Sequence, residues 1–184
     1  MNSSAQLILD ELTATLALID ERQLDFLCGE LLVPSRRVFV MGVGRVLISL
    51  KAWVKRMRHL GIDINYVGDE TELPMREDDL LIVGSSSGES ALPVAIVQIA
   101  KRLGGEVFYV GCTPESTIAK LSDAQLIVSG RTKYAHPDEY PSKQPMSTLF
   151  EQQLYLLGDV IALEVMKYRG WSEDDVRGQH ANLE

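Results

Sequence analysis

Cysteine, positive charge and long apolar runs are all in short supply in this chain of 184 residues. Cys28 and Cys112 are the only cysteines, set in apolar surroundings with no CxxC spacing. Neither a disulfide scaffold nor a zinc site is expected from them, and a reducing cytoplasm is the expected location. The 18 Lys and Arg are outnumbered by 26 Asp and Glu, for a formal net charge of −8. Gripping a nucleic-acid backbone through counterion release needs the opposite balance, so no nucleic-acid partner is expected. No basic-then-apolar leader opens the chain, whose first basic residue is Arg22. No apolar run approaches the roughly 18 residues of a membrane span, so no membrane partner is expected either. A hydrophobic content of 46% is ordinary for a globular protein. The length fits one domain covering 1–184.

Short β-branched runs recur through the chain, most ending in glycine or serine: RVFVMG (37–42), INYVG (64–68), DLLIVGSS (79–86), EVFYVGCT (106–113) and AQLIVSG (124–130). Stretches of helical pattern separate them, such as ALPVAIVQIAKRL (91–103). Alternating strands and helices imply right-handed crossovers and a parallel sheet covered on both faces. The expected fold is therefore α/β, a three-layer α/β/α sandwich with five parallel strands in flavodoxin-like order. Residues 1–35 form an N-terminal arm of one or two helices, with leucines such as Leu9, Leu12, Leu24 and Leu27 at helical spacing. Residues 130–147 hold Pro137, Pro141 and Pro145 without periodicity, which predicts a loop that is functional or disordered. Residues 148–184 form a long C-terminal helix and a tail. That helix is apolar on nearly all sides, which points to a subunit interface, or alternatively to a central helix of the monomer.

Two strand-to-helix junctions and the start of the long helix are candidates for chemistry. GSSSGES (84–90) places Ser85, Ser86, Ser87, Gly88 and Ser90 where a helix begins. A helix N-terminus leaves backbone N–H groups unpaired and carries about half a positive charge, so hydroxyls and small residues there suit a phosphate. The plain alternative is an N-cap, for which one serine would suffice. The same letters spell G-x-S-x-G, the nucleophile elbow of hydrolases, but only His136 and His180 follow to complete a triad. GVGR (42–45) fails as a dinucleotide fingerprint because Leu47 holds the third glycine position. The helix after it carries Arg45, Lys51, Lys55, Arg56 and Arg58 and no acid, with Val46, Leu50, Trp53, Met57 and Leu60 as its buried stripe. Gly44 and Arg45 sit at the carboxyl end of a strand, where ligands bind in open α/β sheets. Glu151 lies on an uncharged flank of the long helix, placed either as a poorly hydrated general base or as an exposed first-turn residue favouring the helix dipole. His180 is either a titrating group or part of a frayed end.

Strand–GxGR–helix, strand–S-x-S-G-E-S–helix and the late helix together resemble the sugar isomerase (SIS) domain of phosphosugar isomerases and binding proteins. KRMRHLGIDINYVGDE (55–70), QPMSTLFEQ (144–152) and HANLE (180–184) are similar to the 6-phospho-3-hexuloisomerase branch of that family. The resemblance implies a small-molecule phosphosugar ligand and isomerisation of 3-hexulose 6-phosphate to fructose 6-phosphate, in a ribulose monophosphate pathway. It implies no metal, nucleotide or redox cofactor, and a homotetramer with sites between subunits. Position by position, it makes Ser85, Ser87 and Ser90 phosphate ligands and Glu151 the base. His180 becomes a histidine that reaches a neighbouring subunit's site. Alternatives are another aldose–ketose isomerase, such as arabinose 5-phosphate isomerase, or a sensing module without catalysis. The chain departs from the family at Val46 and Leu47, which replace a hydroxyl and a glycine. Ser86 also stands where glycine is usual, so it is expected to adopt a glycine-like backbone.

Overall fold

The computed structural model describes residues 2–183, so Glu184, the last letter of the HANLE motif, lies outside the described residues. Each expected run forms a strand: β1 (Val38–Met41), β2 (Ile64–Tyr66), β3 (Leu80–Gly84), β4 (Glu106–Gly111) and β5 (Ala124–Ile127). All neighbours are parallel, in the order β2-β1-β3-β4-β5, which is the flavodoxin-like order. Val38 pairs with Ile64 on one side and Leu80 on the other, so β1 is the hinge of the order.

Period-2 alternation splits the strands between two cores. Val38 and Val40 face one core with Leu80 and Ile82, under α2 (Glu21–Leu31), α3 (Gly44–His59) and α6 (Thr148–Arg169). Phe39, Met41, Leu81 and Val83 face the other, under α4 (Ala91–Arg102) and α5 (Thr117–Leu121). The stripe Val46, Leu50, Trp53, Met57 and Leu60 of α3 is buried as its spacing required.

One crossing differs from the sequence reading, and the arm and the long loop gain detail. Residues 67–79, which cross from β2 to β3, contain no helix. Their sequence offers Gly68, Pro74 and a run of acids in place of an apolar repeat. Instead, the Asp79 carboxylate ties the crossing down, accepting hydrogen bonds from Arg37 Nη2 at 2.6 Å and the Arg76 N–H at 2.8 Å. The N-terminal arm is two helices, α1 (Ser3–Leu16) and α2, separated where Asp20 caps α2. In α1 the buried residues are Glu11 and Thr15, while Leu9 is exposed. Glu11 is drawn inward by donors in the loop 130–147: the Ser142 hydroxyl at 2.6 Å, the Lys143 N–H at 2.7 Å and Gln144 Nε2 at 3.1 Å. That loop is therefore anchored, although it has no regular structure.

The long helix α6 packs one face into the core of its own chain. Phe150, Leu154, Leu157, Ile161 and Val165 are buried inside the chain. Gly158 permits the close approach to α3, since a Cβ there would lie 2.2 Å from Trp53 Cδ1. Tyr155 and Leu163 remain exposed on the opposite side, while Tyr168, also exposed, donates its hydroxyl to Asp25 of α2 at 3.2 Å. Gly170, at φ 63, ends α6 in the left-handed conformation, and α7 (Glu173–Arg177) follows. Among the described residues, no helix is long and apolar enough to cross a membrane.

Candidate active site

Strand order reverses between β1 and β3, and a cleft of about 570 Å³ opens at their carboxyl ends. Gly44, Arg45, Ser85, Ser86, Ser87, Ser90 and Glu151 all line it. Gly88 shapes the wall from behind: its φ is 64, and a Cβ there would lie 2.0 Å from Ser116 Oγ. Glycine is obligatory at that turn. Ser86 is not among the residues of positive φ, so serine replaces glycine there without strain. The expectation of a glycine-like backbone at Ser86 is thus corrected. Val46 lines the cleft with an apolar surface where a hydroxyl was expected.

The serines do not serve as a helix cap. Ser90 occupies the N-cap of α4 but makes no capping hydrogen bond with its side chain. Ser85 Oγ accepts the Gly88 N–H at 3.1 Å and Ser87 Oγ the Glu89 N–H at 3.3 Å, bonds that form the loop itself. Tyr109 donates its hydroxyl to the Ser85 carbonyl at 2.8 Å and is held neutral by burial, which pushes its pKa up. Glu89 points away and accepts the Thr117 N–H at 2.7 Å and its hydroxyl at 2.7 Å. Those Thr117 bonds hold the Glu89 carboxyl below the usual range. The N-termini of α3 and α6 also lack side-chain caps, and their first residues line the same cleft. Three helix N-termini without side-chain caps therefore border one space.

Glu151 stands at the first turn of α6 with its side chain 11% exposed. It is neither an open surface residue nor an isolated one. Arg45 Nε donates to one carboxylate oxygen, and Ser147 Oγ donates to the other at 3.0 Å. Ser49 Oγ fixes its backbone by donating to the Glu151 carbonyl at 2.8 Å. A carboxylate, a guanidinium and a hydroxyl thus stand together in a cleft lined by serines, an arrangement chemically able to move protons.

His180 is not brought to this cleft by its own chain. Its ring lies 4.8 Å from that of His59, the last residue of α3, whereas Gly44 and Arg45 begin that helix. Sixteen residues of helix put those ends about 22 Å apart at ~1.5 Å per residue. No histidine lines the cleft, so the hydrolase triad has no base beside Ser86. Burial pushes the Cys28 thiol up to about 12 and that of Cys112 up as well, which leaves neither as a nucleophile. Among the described residues, no three His, Cys, Asp or Glu side chains are grouped to hold a metal ion.

Lys133, Met146, Ser147 and Thr148 also line the cleft and escaped the reading of residues one at a time. Lys133 was signalled only by the aperiodic, proline-bearing character of its loop, whereas Met146, Ser147 and Thr148 also fall in the QPMSTLFEQ stretch (144–152). Met146 holds φ 53, a strained conformation for a non-glycine residue of the kind that collects at functional sites.

Residues 31–152 match the SIS domain, and the chain belongs to that family. It is similar to the 3-hexulose-6-phosphate isomerase of Bacillus subtilis (strain 168), 35% identical over 177 residues, 96% of this chain and 95% of that one. It is 30% identical to the 3-hexulose-6-phosphate isomerase of Mycobacterium gastri, over all of this chain and 92% of the other. A crystal structure of a Methanococcus jannaschii protein, from which a molecular function of 3-hexulose-6-phosphate isomerase was inferred, superposes with a TM-score of 0.76 at 26% identity. That match covers 89% of this chain and 87% of the other.

Proposed function

We propose that the protein is a cofactor-independent phosphosugar isomerase that converts 3-hexulose 6-phosphate to fructose 6-phosphate. The observation that carries this reading is the meeting of Glu151 with three uncapped helix N-termini in one cleft. The phosphate docks on Ser85, Ser87 and Ser90 at the start of α4, and Ser86 completes the cradle. Glu151 takes the proton from C2 while the C3 carbonyl oxygen gains one, which gives the enediol. The carboxylic acid then returns a proton to C3 as the C2 hydroxyl loses its own, leaving a C2 ketone. Hydrogen only moves between neighbouring carbons, so no electron carrier is consumed. Arg45 releases Glu151 as substrate enters and stabilises charge on the enediol oxygens. His180 supplies the second proton-transfer group from a neighbouring copy in a homotetramer. Its placement against His59, far along α3 from Arg45, supports a role in trans.

Purified protein supplied with 3-hexulose 6-phosphate, without metal or nucleotide, is expected to form fructose 6-phosphate. Glu151→Gln is expected to lose about 10²–10⁴-fold in kcat while phosphosugars still raise its melting temperature. A Glu151→Gln enzyme as fast as wild type would remove the base. Phosphosugar binding with no turnover in the wild type would replace the isomerase by a binding protein.

A further inference from the structure

A bound phosphate monoester brings nearly two negative charges, whereas serine hydroxyls are neutral and a helix end offers about half a charge. Two cationic side chains line the cleft, Arg45 and Lys133. Arg45 is already paired with Glu151. Lys133 stands in no ion pair among the described residues, although the protein carries an excess of acid. Its ammonium lies 5.1 Å from the centroid of the Tyr134 ring.

The backbone beneath Lys133 is held firmly. Thr132 is 1% exposed, donating its N–H to Glu139 Oε2 at 2.9 Å and its hydroxyl to Oε1. Tyr134 N–H closes onto Thr132 Oγ1 at 3.1 Å, and Ala135 completes the turn at φ 53. Further along the loop, Glu11 anchors the segment that leads into Pro145 and Met146. A lysine with no carboxylate partner is thus mounted on a fixed turn at the wall of an anion-binding cleft. A flexible stem on a rigid base lets the ammonium close on a ligand with little backbone rearrangement.

We propose that Lys133 engages the phosphate group of the bound sugar phosphate and offsets the charge that the serine cradle leaves. The assignment rests on the phosphosugar reading above. Its role is to bind, so it acts on substrate affinity and leaves the proton transfers to Glu151.

The test measures binding of inorganic phosphate and of fructose 6-phosphate by calorimetry, without turnover, for wild type, Lys133→Gln and Lys133→Arg. KM and kcat with 3-hexulose 6-phosphate are measured beside it. Lys133→Gln is expected to weaken both ligands about tenfold and raise KM equally, with kcat within about twofold, while Lys133→Arg recovers most of the loss. The weakening should shrink as salt is raised, because the lost contact is electrostatic. Unchanged phosphate affinity in Lys133→Gln, or a loss confined to kcat, overturns the assignment. A wild type that binds phosphate through Lys133 but never converts the ketose refutes the isomerase alone. Normal turnover by Lys133→Gln with unaltered KM refutes Lys133 alone. A wild type that binds no phosphate refutes both.

Discussion

The helix N-termini of this protein fall into two groups. Asn2, Asp20, Ser116 and Ser172 each cap their helix with a side-chain oxygen, at α1, α2, α5 and α7. Val43, Ser90 and Ser147 do not cap α3, α4 and α6. A missing cap costs about 1 kcal/mol, so three omissions are a sizeable fraction of the stability of a domain. All three omissions meet in the cleft, and the capped ends lie elsewhere. Two of the uncapped positions are serines, so residue type does not explain the difference. Ser90 leaves its helix end open, and Ser147 donates to Glu151. Under the proposed function, these are the ends that face the phosphate.

The sharpest way to break this comparison is to cap α4 with a charge. Ser90→Asp is expected to raise the melting temperature slightly, since an acid favours a helix N-terminus. It should also weaken phosphate binding by about a hundredfold through like-charge repulsion. Unchanged phosphate affinity in that variant would show that the end of α4 is not the cradle.

Next in size is the anchor of the cleft's outer loop. Glu11→Ala leaves the Ser142 hydroxyl, Lys143 N–H and Gln144 amide without their acceptor, and is expected to cost about 1–3 kcal/mol in denaturant unfolding. Hydrogen exchange over 142–147 should accelerate in the same variant. Exchange as slow as in wild type would mean that the loop is held by something other than α1.

A smaller effect separates the two groups directly. Asp20→Ala is expected to lower the melting temperature by about 2–4 °C and leave phosphate affinity untouched. Ser90→Ala should do the reverse, with an unchanged melting temperature and affinity reduced by about fivefold. A stability loss at Ser90 equal to that at Asp20 would erase the distinction.

Acid gives the mildest test. Burial alone would raise the carboxyls of Glu11 and Asp79. Hydrogen bonds to Glu11 from Lys143, Ser142 and Gln144, and to Asp79 from Arg37 and Arg76, outweigh it and hold both low. Their folded pKa values lie below the unfolded ones, so the stability they add is fully present above about pH 5 and is lost as pH falls below about 4. Glu11→Gln should therefore show a shallower loss of stability between about pH 5 and pH 2 than wild type. Equal slopes would remove Glu11 from the acid response.

Much of the scaffold could be read in advance because it depends on short-range pattern. The β-branched runs gave the strands, and alternation with helical segments gave a parallel sheet. The 3.6-residue stripe of α3 named its buried side chains correctly from Val46 to Leu60. The serine junction was legible as well, since a strand, small hydroxyl residues and a helix start follow one another in sequence. The crossing at 67–79 was harder, because its order comes from Asp79 and Arg37, which are far apart in the chain. Lys133 was invisible for a related reason: nothing in GRTKYAHP distinguishes a cleft-lining lysine from a solvated one.

The sequence by itself determined the α/β class, the strand segments and the serine-rich junction between β3 and α4, because backbone preference and hydrophobic period act over a few neighbouring residues. Only the tertiary structure decided which helix ends would stay uncapped together, that Glu151 would meet Arg45 from 106 positions away, and that Glu11 would hold Ser142 from 131 positions away. Those contacts depend on the point where the strand order reverses and on how α6 lies against α3. They come from packing the whole chain, which no local pattern encodes.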